Sequence, residues 1–77
     1  MYFVYLLKNE KTNELYYGYT SKLEQRLMQH GSDERGKLIY YEAYISELDA
    51  REREMKLKYY GQSRNHLKNR LKESLQL

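Results

Sequence analysis

The sequence predicts an α+β fold: a three-stranded antiparallel sheet flanked by helices, in the order ββαβαα. Three observations carry this. Residues 2–8 (YFVYLLK) form an almost unbroken apolar and aromatic run, the pattern of a buried strand. A polar turn at 9–13 (NEKTN) separates it from a second strand at 14–20 (ELYYGYT), close enough for an antiparallel hairpin. Beyond residue 46, helical spacing replaces strand alternation, with helices packed on the sheet.

A first helix follows the hairpin. Ser21 with Glu24 three residues on reads as a capping box, and Gly31 suits a left-handed stop. Leu23 and Leu27 supply its apolar stripe. Arg26 and His30 lie about 40° apart at the border of that stripe and reach the same edge. Residues 37–45 (KLIYYEAYI) are the third strand. Strict alternation places Ile39, Tyr41, Ala43 and Ile45 on one face and Leu38, Tyr40, Glu42 and Tyr44 on the other. Ser46 caps a long helix over roughly 47–60. Gly61 breaks it, and Ser63 starts a terminal helix with Leu67, Leu71 and Leu75 at i, i+4, i+8.

The long helix has two apolar patches. Ala50, Glu54 and Leu57 share one face, and Leu48, Met55 and Tyr59 the opposite one, which predicts cover on both sides. Glu54 therefore lies beside a buried stripe. An inward carboxylate is costly unless it is ion-paired, hydrogen-bonded or bound to a metal. A neighbouring Arg or Lys is the plainer partner.

With 77 residues and no Pro, the chain reads as one domain, 1–77, near the lower size for independent folding. The absence of Cys excludes disulfides and thiolate zinc sites. The apolar start is too short to cross a bilayer, which predicts no membrane association and a cytoplasmic protein. Charge is uneven. Residues 1–50 hold six Lys/Arg against eight Asp/Glu, and residues 51–77 hold eight against three. The basic excess of the last third suggests a polyanionic partner, nucleic acid first, along Arg53, Lys58, Arg64, Lys68, Arg70 and Lys72. No required protein partner is evident.

Together these features resemble the GIY-YIG nuclease superfamily, in its small stand-alone bacterial form. Phe3-Val4-Tyr5 stands at the first signature triplet and Tyr16-Tyr17-Gly18 at the second. Arg26 and His30 match in LEQRLMQH, and residues 50–58 match the family's A-x-x-R-E-x-x-L-K pattern, which puts its metal-binding Glu on Glu54. Phe3 replaces a Gly and Tyr17 an Ile. Residues 31–36, which include Asp33, Glu34 and Arg35, are a shortened stretch where relatives carry a longer basic one. Asn65 and Asn69 are both candidates for the family's late Asn.

The resemblance implies a DNA endonuclease, structure-directed or nonspecific, with RNA left open as a substrate. Glu54 would hold a single Mg²⁺ or Mn²⁺. Arg26 would pair with phosphate oxygens in a fork that Lys cannot reproduce. Tyr5, with Tyr16 beside it, is the first choice to position or deprotonate the attacking water. Ionising a free phenol at neutral pH costs roughly 4 kcal/mol, so His30 is the alternative base or relay. Tyr17, Tyr19, Tyr40 and Tyr41 read as core residues whose hydroxyls reach the surface or a partner. The alternative function is a catalytically weak or inactive nucleic-acid-binding module of the same fold.

Overall fold

A computed structural model describes residues 1–30 and 36–77, apart from the side chains at 29 and 30. Its elements are β1 (Tyr2–Lys8), β2 (Leu15–Thr20), α1 (Leu23–His30), β3 (Lys37–Tyr44), α2 (Glu47–Tyr59), α3 (Gly61–Arg70) and α4 (Lys72–Gln76). The sheet has the order β2-β1-β3, and both pairings are antiparallel. This is the α+β arrangement that the sequence predicts.

β1 is central, which explains its composition. Val4, Tyr5, Leu6 and Leu7 are all buried, so both faces of the strand need apolar side chains. The hairpin closes through Asn9. Its side-chain oxygen accepts from the N–H groups of Lys11 (2.9 Å) and Thr12 (3.2 Å), while Asn13 takes a positive φ of 63°.

One sheet face carries the core. Val4, Leu6 and Tyr17 pack there with Ala50 and Leu57 of α2 and Leu67 of α3. Tyr2, Leu15, Tyr19, Tyr40, Tyr44 and Leu71 close over this cluster. Ile39 joins them, contrary to strict alternation. Leu6 pairs with Tyr40 but Leu7 with Leu38, so β3 bulges at Ile39. The extra residue shifts the phase, placing Ile39 with Tyr40 and Leu38 opposite them. Beyond the bulge, Tyr41 meets Phe3 edge-on, with ring centroids 6.0 Å apart.

The helix boundaries follow the chain's local chemistry with three corrections. α1 starts at Leu23, later than the Ser21–Glu24 box implies. Thr20 Oγ1 accepts from the Lys22 N–H at 3.0 Å, and the Lys22 carbonyl takes the first helical bond, from Arg26. Ser46 caps α2 as its sequence predicts, accepting from the Asp49 N–H. The break after α2 falls at Tyr60, in extended conformation, and Gly61 already belongs to α3. The third correction is at Leu71, where the terminal segment divides into α3 and α4. The Gly31 stop lies outside the described residues.

The outer patch of α2 is not covered. Leu48, Met55 and Tyr59 are all exposed, while Ala50 and Leu57 are fully buried. The sheet and α3 take one side of the helix. Among the described residues, no element lies over the other.

Candidate active site

Tyr5 points to the face of the sheet opposite the core. Its antiparallel partner on β2 is Gly18. A side chain there has no room, since a Cβ at position 18 would lie 2.3 Å from Tyr5 Cζ. The missing side chain lets the phenol ring lie flat across β2. Tyr5 is thereby only 2% exposed, yet its hydroxyl accepts a hydrogen bond from Arg26 Nε at 3.1 Å. Tyr16 is its diagonal neighbour on the same face, with ring centroids 6.4 Å apart.

Arg26 joins these two phenols to α1. Hydrogen bonding to Tyr5 is the main cause that raises the Arg26 guanidinium above its ordinary pKa, and Tyr16 acts in the same direction. Burial opposes the shift. The guanidinium is therefore held at the phenol pair as a permanent cation.

Glu54 projects from α2. Its carboxylate meets the ammonium of Lys58, one turn on, at 3.0 Å. The two side chains are 21% and 40% exposed respectively. This is the ion pair that an inward carboxylate requires. The hydrogen bond to Glu54 is the first cause that raises Lys58 above the usual lysine pKa; burial opposes it, and Tyr16 adds to it. Tyr16 thus interacts with a cation from each helix, Arg26 of α1 and Lys58 of α2.

The other residues expected at the site are placed as follows. His30 closes α1, and its side chain lies outside the described residues, as does most of the 31–36 segment. Asn65 and Asn69 are both exposed on α3. Arg53 grips Glu42 with Nε at 3.0 Å and Nη2 at 3.1 Å, so its guanidinium serves the interior rather than the surface. Arg64 donates through Nη1 to the carbonyls of Leu57 (3.1 Å) and Lys58 (2.8 Å), capping the C-terminus of α2. Lys68, Arg70 and Lys72 are exposed.

Two residues were not singled out by sequence reasoning. Gly18 belongs to the second signature triplet, but its role depends on pairing with Tyr5, which alignment of the hairpin's strands would have suggested. Glu42 gathers hydrogen bonds from Arg53, Tyr40 and Tyr44. Its place inside a polar alternation on β3 was the available signal.

The family model described as the GIY-YIG catalytic domain matches residues 1–58, a span that includes Tyr5, Tyr16, Arg26 and Glu54. The chain belongs to the GIY-YIG nuclease superfamily, and a nuclease family implies a nucleic-acid substrate. No curated protein matches the chain, and no solved structure does. Among the described residues, no helix is long and apolar enough to cross a membrane.

Proposed function

We propose that this protein is a divalent-metal-dependent endonuclease that hydrolyses phosphodiester bonds in DNA, directed by structure or without specificity. The observation that carries this reading is the hydrogen bond between Tyr5 and Arg26, with Tyr16 alongside, inside the matched family span.

Among the described residues, no three His, Cys, Asp or Glu side chains group together. Glu54 therefore supplies one carboxylate, which suits a hard cation that keeps most of its waters and takes further oxygens from substrate phosphate. Mg²⁺ or Mn²⁺ held there would neutralise charge on the phosphate.

The chain's own groups divide the remaining work. Arg26 gives its Nε to Tyr5 and also bonds to Tyr16, and its fork would meet a phosphate oxygen where charge grows in the transition state. Tyr5 accepts from Arg26, which fixes its hydroxyl where it can position the attacking water. Removal of the water's proton falls to the Tyr5–Tyr16 pair or to His30. Lys68, Arg70 and Lys72 extend a positive surface along α3 and α4 that follows the nucleic-acid backbone.

The Glu54–Lys58 ion pair favours the second reading, a nucleic-acid-binding module without useful catalysis. Cleavage of single-stranded, duplex, flapped and branched DNAs with Mg²⁺ or Mn²⁺ separates the two. Wild type is run beside Glu54→Gln and Tyr5→Phe. The endonuclease reading expects cleavage that both substitutions abolish. Salt-sensitive binding without cleavage would establish the module instead, and cleavage indifferent to both substitutions would reject this site.

A further inference from the structure

Lys58 and Glu54 are one helical turn apart, and their charged ends are in direct contact at 3.0 Å. An ordinary i, i+4 pair on a solvated helix is weak. This one differs in its surroundings. The carboxylate is largely shielded, and the same ammonium also interacts with Tyr16, whose other cationic neighbour is Arg26. A divalent ion at Glu54 would have to enter where a monovalent charge already stands.

We propose that Lys58 is the resident cation of the metal-free site, which a divalent ion displaces from Glu54, and whose freed ammonium then serves the substrate phosphate beside Tyr16. The inference rests on the endonuclease reading above and gives it an order of events. Without the ion, Lys58 neutralises Glu54 and keeps that carboxylate from repelling a polyanion. With the ion in place, the dication and the ammonium compete for the one negative charge of Glu54, and the hold on Lys58 weakens. The lysine stem is long and flexible, and its head turns to the nearest anionic group. In this proposal that group is a substrate phosphate beside Tyr16. Metal and DNA then bind cooperatively, because each favours the arrangement in which Lys58 has left Glu54.

The test is the affinity for Mn²⁺, read from the electron paramagnetic resonance signal of free Mn²⁺, without turnover. Wild type is compared with Lys58→Met, Lys58→Arg and Glu54→Gln. Lys58→Met keeps the stem but removes the competing charge, so it binds Mn²⁺ about two- to fivefold more tightly. Lys58→Arg retains the charge and stays near wild type. A short uncleavable DNA strengthens Mn²⁺ binding to wild type and does so less for Lys58→Met. Unchanged or weaker Mn²⁺ binding by Lys58→Met, with binding abolished in Glu54→Gln, would overturn the role of Lys58 while the metal site stood. Mn²⁺ binding that survives Glu54→Gln, or its absence in wild type and Lys58→Met alike, would overturn both.

Discussion

The ring of Tyr5 occupies the volume that any side chain at position 18 would require. A Cβ on Gly18 would lie 2.3 Å from Tyr5 Cζ and 2.4 Å from its hydroxyl oxygen. Packing and the proposed chemistry therefore share one contact. The ring can reach Arg26 only because β2 has no side chain beneath it.

Gly18→Ala should accordingly act on both. The added methyl must push the ring or part the strands, at a cost of about 1–3 kcal/mol. Urea unfolding is expected to show this loss, and cleavage should fall further than stability does. An unchanged unfolding midpoint would mean that Tyr5 has another place to go.

Arg26→Lys keeps the charge but loses the fork. Cleavage is expected to drop about a hundredfold or more, with the thermal midpoint close to wild type. The informative comparison is with Arg26→Ala. If Lys restores most of the rate that Ala loses, a point charge is enough and the planar contact is unimportant.

Glu42 and Arg53 make the most enclosed ion pair among the described residues, with side chains 14% and 26% exposed. Arg53→Met leaves a shielded carboxylate without its cation and should cost about 3 kcal/mol. Adding Glu42→Gln to it should recover part of that loss, because the stranded charge is gone. Additive losses in chemical denaturation would show that the pair is not coupled.

The same cluster sets a pH dependence. Burial pulls the Glu42 carboxyl upward, but hydrogen bonds from Arg53, Tyr40 and Tyr44 outweigh it and hold the pKa below the ordinary 4.5. A lowered carboxyl pKa contributes stability above the unfolded value, and that stability is lost as pH falls through the folded value. Burial, followed by hydrogen bonding to Glu42, pushes the Tyr40 and Tyr44 hydroxyls from 10.0 to about 12. Their contribution is complete below pH 10 and is lost as pH rises through about 12. Thermal unfolding from about pH 6 to about pH 3 should fall less steeply for Glu42→Gln than for wild type. Parallel curves would assign the acid sensitivity to other carboxylates.

Tyr17 offers a change in the other direction. Its hydroxyl is buried with no hydrogen-bond partner among the described residues. Burial raises its pKa, and Arg64 only partly offsets this. Tyr17→Phe removes a desolvated polar group and keeps the ring, so stability should hold or rise by about 1 kcal/mol. A clear loss in calorimetry would reveal a partner for that hydroxyl.

Much of this protein was legible in local pattern. The buried run of β1, the Asn-bearing turn, the Ser46 cap and the Ala50–Leu57 stripe each depend on residues a few positions apart. The order in which Tyr5, Tyr16, Arg26 and Glu54 occur along the chain was legible as well, and it carried the family resemblance that the family match supports. Other features depended on residues far apart in the chain. Alternation could not foresee the bulge at Ile39, because a bulge is a property of two strands in register. The exposed outer patch of α2 follows from which elements fold back over it. Arg53 and Arg64 are basic residues like their neighbours, yet Glu42 claims one and the end of α2 the other. A charge takes its partner from whatever the fold brings within about 4 Å, and the tertiary structure alone decides that. The sequence by itself determined which elements form and which side chains could do the chemistry. The folded chain decided which of them meet.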